Sequence, residues 1–86
     1  MVEVIVIHQW KAEQKEKVMQ FATTIINLAK SNKLPTGLKL NEINLAKNAN
    51  IAVCKWSVDS LEHLLNVASS LKPEWQITAV EVEKAY

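Results

Sequence analysis

Residues 2–10 read as a strand in which neither face is plainly polar. Successive side chains alternate across a strand, so Val2, Val4, Val6, His8 and Trp10 share one side and Glu3, Ile5, Ile7 and Gln9 the other. A sheet wetted on one side gives clean apolar–polar alternation. Apolar groups on both sides call for a cover on both.

After Trp10 the period changes. Val18, Phe21, Ala22, Ile25, Leu28 and Ala29 recur at spacings of three and four, the apolar stripe of a helix over residues 11–30. Lys11, Glu13, Lys15, Glu16 and Lys17 form its solvated side. Pro35 and Gly37, the single glycine, are expected to close this segment. A second, more polar strand follows over residues 38–45, with a slip in the alternation at Asn41 and Glu42 that fits a β-bulge. Residues 47–50 read as a hairpin turn, and residues 51–58 as a third strand that is again apolar on both sides.

Asp59 and Glu62 have the spacing of a capping box at the start of a second helix. That helix is expected to bury Leu61, Leu64, Leu65, Ala68 and Leu71 and to stop before Pro73. A last strand runs from residue 75 or 76 to about 84, with the charges expected of a sheet edge. The order is β-α-β-β-α-β in one domain, residues 1–86. It predicts an α+β, ferredoxin-like fold with a four-stranded antiparallel sheet in the order 4-1-3-2. Strands one and three, the two apolar on both sides, then fall in the middle, and that agreement between levels supports the assignment. Each helix follows a right-handed crossover onto the same side, so the helices cover one face only. The other face is expected to be covered by a second copy of the chain, making a homodimer through the open sheet. Each exposed Val or Ile otherwise forgoes roughly 1.5–3 kcal/mol of burial.

That arrangement resembles the dimeric α+β barrel superfamily, in which two ferredoxin-like subunits face each other sheet to sheet. The likeness covers the whole chain through element order and a few residues. Leu34-Pro35-Thr36-Gly37-Leu38 is similar to the Pro-x-Gly approach to strand two in some small uncharacterised members. Trp56-Ser57-Val58-Asp59-Ser60-Leu61, with His63, is similar to the strand-to-helix passage of antibiotic-biosynthesis-monooxygenase-like members. The superfamily includes cofactor-independent oxygenases and haem-degrading enzymes, so the resemblance implies that a histidine near the sheet can act as base or ligand.

His8 is therefore the titratable group of most interest; the plainer reading is a partly buried histidine with one satisfied hydrogen bond. His63 falls on the polar side of the second helix. Cys54, among apolar strand neighbours, reads as inert packing. Antiparallel pairing is expected to bring Trp10 near Trp75, which with His8 would form a mouth for a flat organic ligand, while Trp56 sits toward the start of strand one. Core and interface packing are the commoner uses of tryptophan. Asn41 and Asn44 are further candidates to hydrogen-bond a ligand, although exposed-strand polarity explains them as well.

Several functions are disfavoured by composition. All ten basic residues are lysine, so the bidentate grip of arginine on phosphate is missing, and the net charge of +1 gives no signature for nucleic acid or an anionic membrane. One glycine leaves no dinucleotide or P-loop fingerprint, and two distant histidines with one cysteine make no metal signature. No cofactor, metal, nucleic-acid partner or membrane span is expected. A single cysteine and the lack of a secretory or spanning segment suggest the cytoplasm. Two functions remain. The first is a non-enzymatic dimeric module that binds a small apolar molecule or another protein. The second is a cofactor-independent monooxygenase- or isomerase-like enzyme using His8 as acid/base in an apolar pocket. No residue is assigned as catalytic, because no acid–base pair or nucleophile is spelled out.

Overall fold

The computed structural model describes residues 1–86. The chain runs β1 (Val2–Gln9), a 3-10 turn (Ala12–Gln14), α1 (Lys15–Lys30), β2 (Leu38–Leu45), β3 (Ile51–Val58), α2 (Leu61–Ser70) and β4 (Gln76–Val82). The strands form one antiparallel sheet ordered β2-β3-β1-β4, which is 4-1-3-2 read from the other edge. This is the ferredoxin-like topology. The inner pair is β1 and β3, and the more polar β2 and β4 are the edges.

Strand register decides which residues face the helices. Val4 lies opposite Trp56, Val6 opposite Cys54 and Ala79, and His8 opposite Ala52 and Ile77. The register of β2 shifts between Leu40 and Glu42, leaving Asn41 as a bulge. Leu40 and Ile43, three positions apart, thus both turn toward the helices. Val4, Val6, Leu38, Cys54, Trp56 and Val58 join Ile25 of α1 and Leu64 of α2 in the core. Ile5, Ile7, Ile51 and Val53 are half-buried on the opposite face, with Val80 and Val82 exposed beside them.

The starts of both helices differ from the sequence-based expectation, and so does the residue that closes α1. α1 begins at Lys15, because residues 11–14 form a tighter turn held by Lys11 N–H to Gln14 Oε1 (2.9 Å) and Gln14 N–H to Lys11 O (2.9 Å). It ends at Lys30, as expected, but is closed by Asn32 (φ 57°) rather than by Pro35 or Gly37. Lys33 N–H donates to Leu28 O (2.8 Å) and Asn32 N–H to Ala29 O (3.3 Å), the Schellman closure that a left-handed residue permits. Gly37 (φ +91°) serves the next turn instead.

The cap of α2 is Ser60, whose hydroxyl accepts from His63 N–H at 3.0 Å. Asp59 is drawn away from that role. Its N–H donates to Gly37 O (2.9 Å), while its carboxylate accepts from Ser60 N–H (2.8 Å) and meets His63 Nδ1 (2.8 Å). Leu65 and Leu71, expected to be buried, are 41% and 46% exposed, because α2 sets Leu64 against the core and turns these two toward a space beside it. No helix is long and apolar enough to cross a membrane.

Candidate functional site

Only 11 of 86 residues are buried, so the helices stand off the sheet rather than sealing it. Between the two layers lies a cavity of about 340 Å³. Its floor includes Val6, Cys54 and Trp56 of the inner strands, and its walls include Phe21 and Ile25 of α1 and Leu64 of α2. Leu45, Leu65 and Leu71 line the same space yet are 54%, 41% and 46% exposed, which marks where it meets solvent. Lys33 and Ser70 are polar but exposed. His8, 9% exposed, is the one buried polar side chain of the protein, and it lines this cavity.

His8 is held from the side. Trp75 Nε1–H donates to its Nδ1 at 3.0 Å. The Trp75 and Phe21 rings meet edge to face, with centroids 5.2 Å apart and planes at 81°, a favoured aromatic geometry. His8 lies 6.2 Å from Phe21 and 6.4 Å from Trp75, ring to ring. The segment before Trp75 is anchored to α1 and the turn before it: Gln14 Nε2 donates to Glu74 O (2.9 Å), and Lys17 Nζ meets the Glu74 carboxylate at 2.6 Å. Burial holds the His8 imidazole below its usual 6.5, so it is neutral at pH 7.

The six residues named from the sequence do not form one site. His8 and Trp56 line the cavity, and Trp75 reaches it through His8 and Phe21. Gln9 lies opposite Gln76, so the backbone register brings Trp10 toward Trp75 as expected. The indoles nevertheless diverge. Trp75 turns back to His8, and Trp10 lies beside Lys15, Met19 and the β2–β3 hairpin, in a separate hollow of about 420 Å³. The Trp10 Nε1 is buried there without a partner.

Asn41 and Asn44 are on the opposite face of the sheet. Asn41 Nδ2 donates to Ser57 Oγ at 2.8 Å, which in turn donates to Glu3 Oε1 at 2.8 Å. Asn44 Nδ2 donates to Glu42, whose carboxylate also meets Lys55 Nζ at 3.3 Å; these partners keep Glu42 below the usual carboxylate range, the Asn44 bond first. Both asparagines are thus committed to a polar network around the open face.

Phe21 was not singled out in the sequence, where it reads as one more member of an apolar helical stripe. Nor was the Asp59–His63 pair, although their i,i+4 spacing on one helix end suits it. Burial pushes the Cys54 thiol up to about 11, so the cavity offers no thiolate nucleophile. No three His, Cys, Asp or Glu side chains gather in a way that could hold a metal ion. No protein-family model, curated protein or solved structure matches the chain.

Proposed function

We propose that the protein is a small-molecule-binding module that works as a homodimer of the dimeric α+β barrel type. The observation that carries this reading is the 340 Å³ apolar space between sheet and helices, which is within the size range of ligand pockets and holds a single buried polar group. Such a space is costly to leave empty, because its walls lose packing partners. The open face supports the dimer. Ile5, Ile7, Val53 and Val80 form an apolar patch across β1, β3 and β4, with Glu3 and Asn41 toward one end and the Glu42–Lys55 pair beside Ile5, a mixed apolar and polar surface of the kind interfaces use.

Native mass spectrometry of the protein purified gently from its own host tests both parts. The expected species is a dimer carrying the mass of a small organic molecule. A strict monomer sinks the dimer, and a bare protein that also fails to take up an apolar probe such as tetralin sinks the binding module. A cofactor-independent enzyme is the second reading, favoured by one observation: His8 lines the cavity, and its Nε2 has no protein partner.

A further inference from the structure

The chemistry of the cavity's one buried polar group narrows what can bind there. An indole nitrogen is a hydrogen-bond donor and never an acceptor. The 3.0 Å contact from Trp75 Nε1 therefore requires a lone pair on His8 Nδ1. A neutral imidazole with its lone pair on Nδ1 carries its proton on Nε2. That second nitrogen has no protein partner, and it is not sealed off, since Trp10 Nε1 is the buried side-chain polar atom without one. Protonating the ring would set an Nδ1–H against the indole N–H and break the contact that holds it. Burial disfavours the cation in the same direction.

We infer that Trp75 fixes His8 as the Nε2–H tautomer, so that His8 presents the cavity with a hydrogen-bond donor, and that the ligand is an apolar molecule carrying an acceptor oxygen such as a carbonyl. This inference rests on the cavity being the binding site. It makes Trp75 a positioning residue. It also removes His8 from the role of general base: Nδ1 is occupied by the indole, and Nε2 already bears its proton. A neutral Nε2–H that stabilises an oxygen is what remains for it, in a binder or in an enzyme. An ammonium ligand meets a donor where it needs an acceptor, and is rejected. The size follows from the volume. A cavity of about 150 Å³ holds one benzene, so roughly 10–15 heavy atoms fit here.

Three probes of matched shape test this: tetralin, α-tetralone, which adds one carbonyl, and 1-aminotetralin, a cation at pH 7. Their affinities for the full chain are measured by calorimetry. The His8 ring nitrogens are read in parallel by long-range proton–nitrogen correlation on histidine-labelled protein, with His63→Asn assigning the two rings. The expected result is a protonated Nε2, α-tetralone bound roughly 2- to 10-fold tighter than tetralin, as one added neutral hydrogen bond allows, and the amine weakest. His8→Phe equalises tetralin and tetralone.

Should that variant not fold, Trp75→Phe carries the test, because without the indole both tautomers appear in the nitrogen shifts and the preference for the ketone shrinks. An Nδ1–H tautomer in the unaltered protein, or tetralone bound no tighter than tetralin, overturns the inference while leaving the binding module intact. Failure of both neutral probes to bind overturns the module and the ligand together, and the nitrogen shifts still judge the His8–Trp75 contact.

Discussion

Ala68→Leu gives a test of the cavity by sign. Ala68 is half-buried on α2 and lines the space between the layers. The substitution adds three carbons, roughly 75 Å³ at the volume per heavy atom of a buried benzene, and so removes about a fifth of the cavity. Burying three methylene-sized groups contributes about 2.4 kcal/mol. Loss of leucine rotamers opposes this by ~0.5–1 kcal/mol, and the lower helix propensity by a few tenths. The expected net gain is therefore about 1–1.5 kcal/mol, or roughly 5–10 °C in Tm for a domain of this size. Urea unfolding followed by tryptophan fluorescence measures it as a higher midpoint at unchanged slope. Tetralin affinity falls in the same variant. If the layers were closed in solution, leucine would overpack the site and the protein would lose ~1–3 kcal/mol. A destabilised Ala68→Leu refutes the cavity.

Three further outcomes are expected. His8 is held neutral in the folded state, so the unfolded chain binds the extra proton: stability falls as pH drops below 6.5 toward the lowered folded value, by at most about 1.4 kcal/mol per pH unit, and His8→Phe flattens this limb of the urea-midpoint profile. Cys54, pushed to about 11, resists a thiol reagent at pH 8 in the native protein and reacts in urea at the rate of a free cysteine. Gly37→Ala costs at least ~1–2 kcal/mol from its φ of +91° alone; its new Cβ also meets the Asp59 carboxylate, so the cost of Gly37→Ala is smaller in an Asp59→Ala background, as a double-mutant cycle measures.

What could be read from the sequence was whatever local pattern alone determines. β1 and β3 reveal themselves as inner strands because both of their faces are apolar, and the bulge at Asn41 shows as a slip in the alternation of β2. The sequence pattern assigns the cap of α2 to Asp59, and it is Ser60. Asp59 and Ser60 both have capping chemistry, and the choice falls to Ser60 because the backbone of Asp59 is tied to Gly37, a residue far earlier in the chain. The cavity was hidden for a related reason. Helical periodicity says which side chains face the sheet, not how far the helix stands from it, so Leu65 and Leu71 looked like core when they are rim. Register placed residues 10 and 75 across from each other but said nothing of which way each indole turns, and that turn makes His8 a donor.

The two uncovered apolar regions bear on one another through stability. Val4 and Val58 are the largest side chains almost wholly withdrawn from solvent, and a core this sparse leaves a chain of 86 residues with little margin. Anything that binds the folded form alone adds RT ln(1 + [L]/Kd), about 2.7 kcal/mol when ligand stands at a hundredfold over its Kd. A partner copy on the open face adds stability by the same mass action. The two proposed occupants sit on opposite sides of the same two inner strands, with Val6 and His8 facing one and Ile5 and Ile7 facing the other. Ordering β1 from either side lowers the cost of ordering it from the other, so ligand and dimer are expected to strengthen each other without any contact between them. The coupling is reciprocal: the factor by which tetralone tightens the dimer equals the factor by which the dimer tightens tetralone. Dilution of the complex followed by native mass spectrometry reads both, and independence of the two constants removes β1 as the shared element.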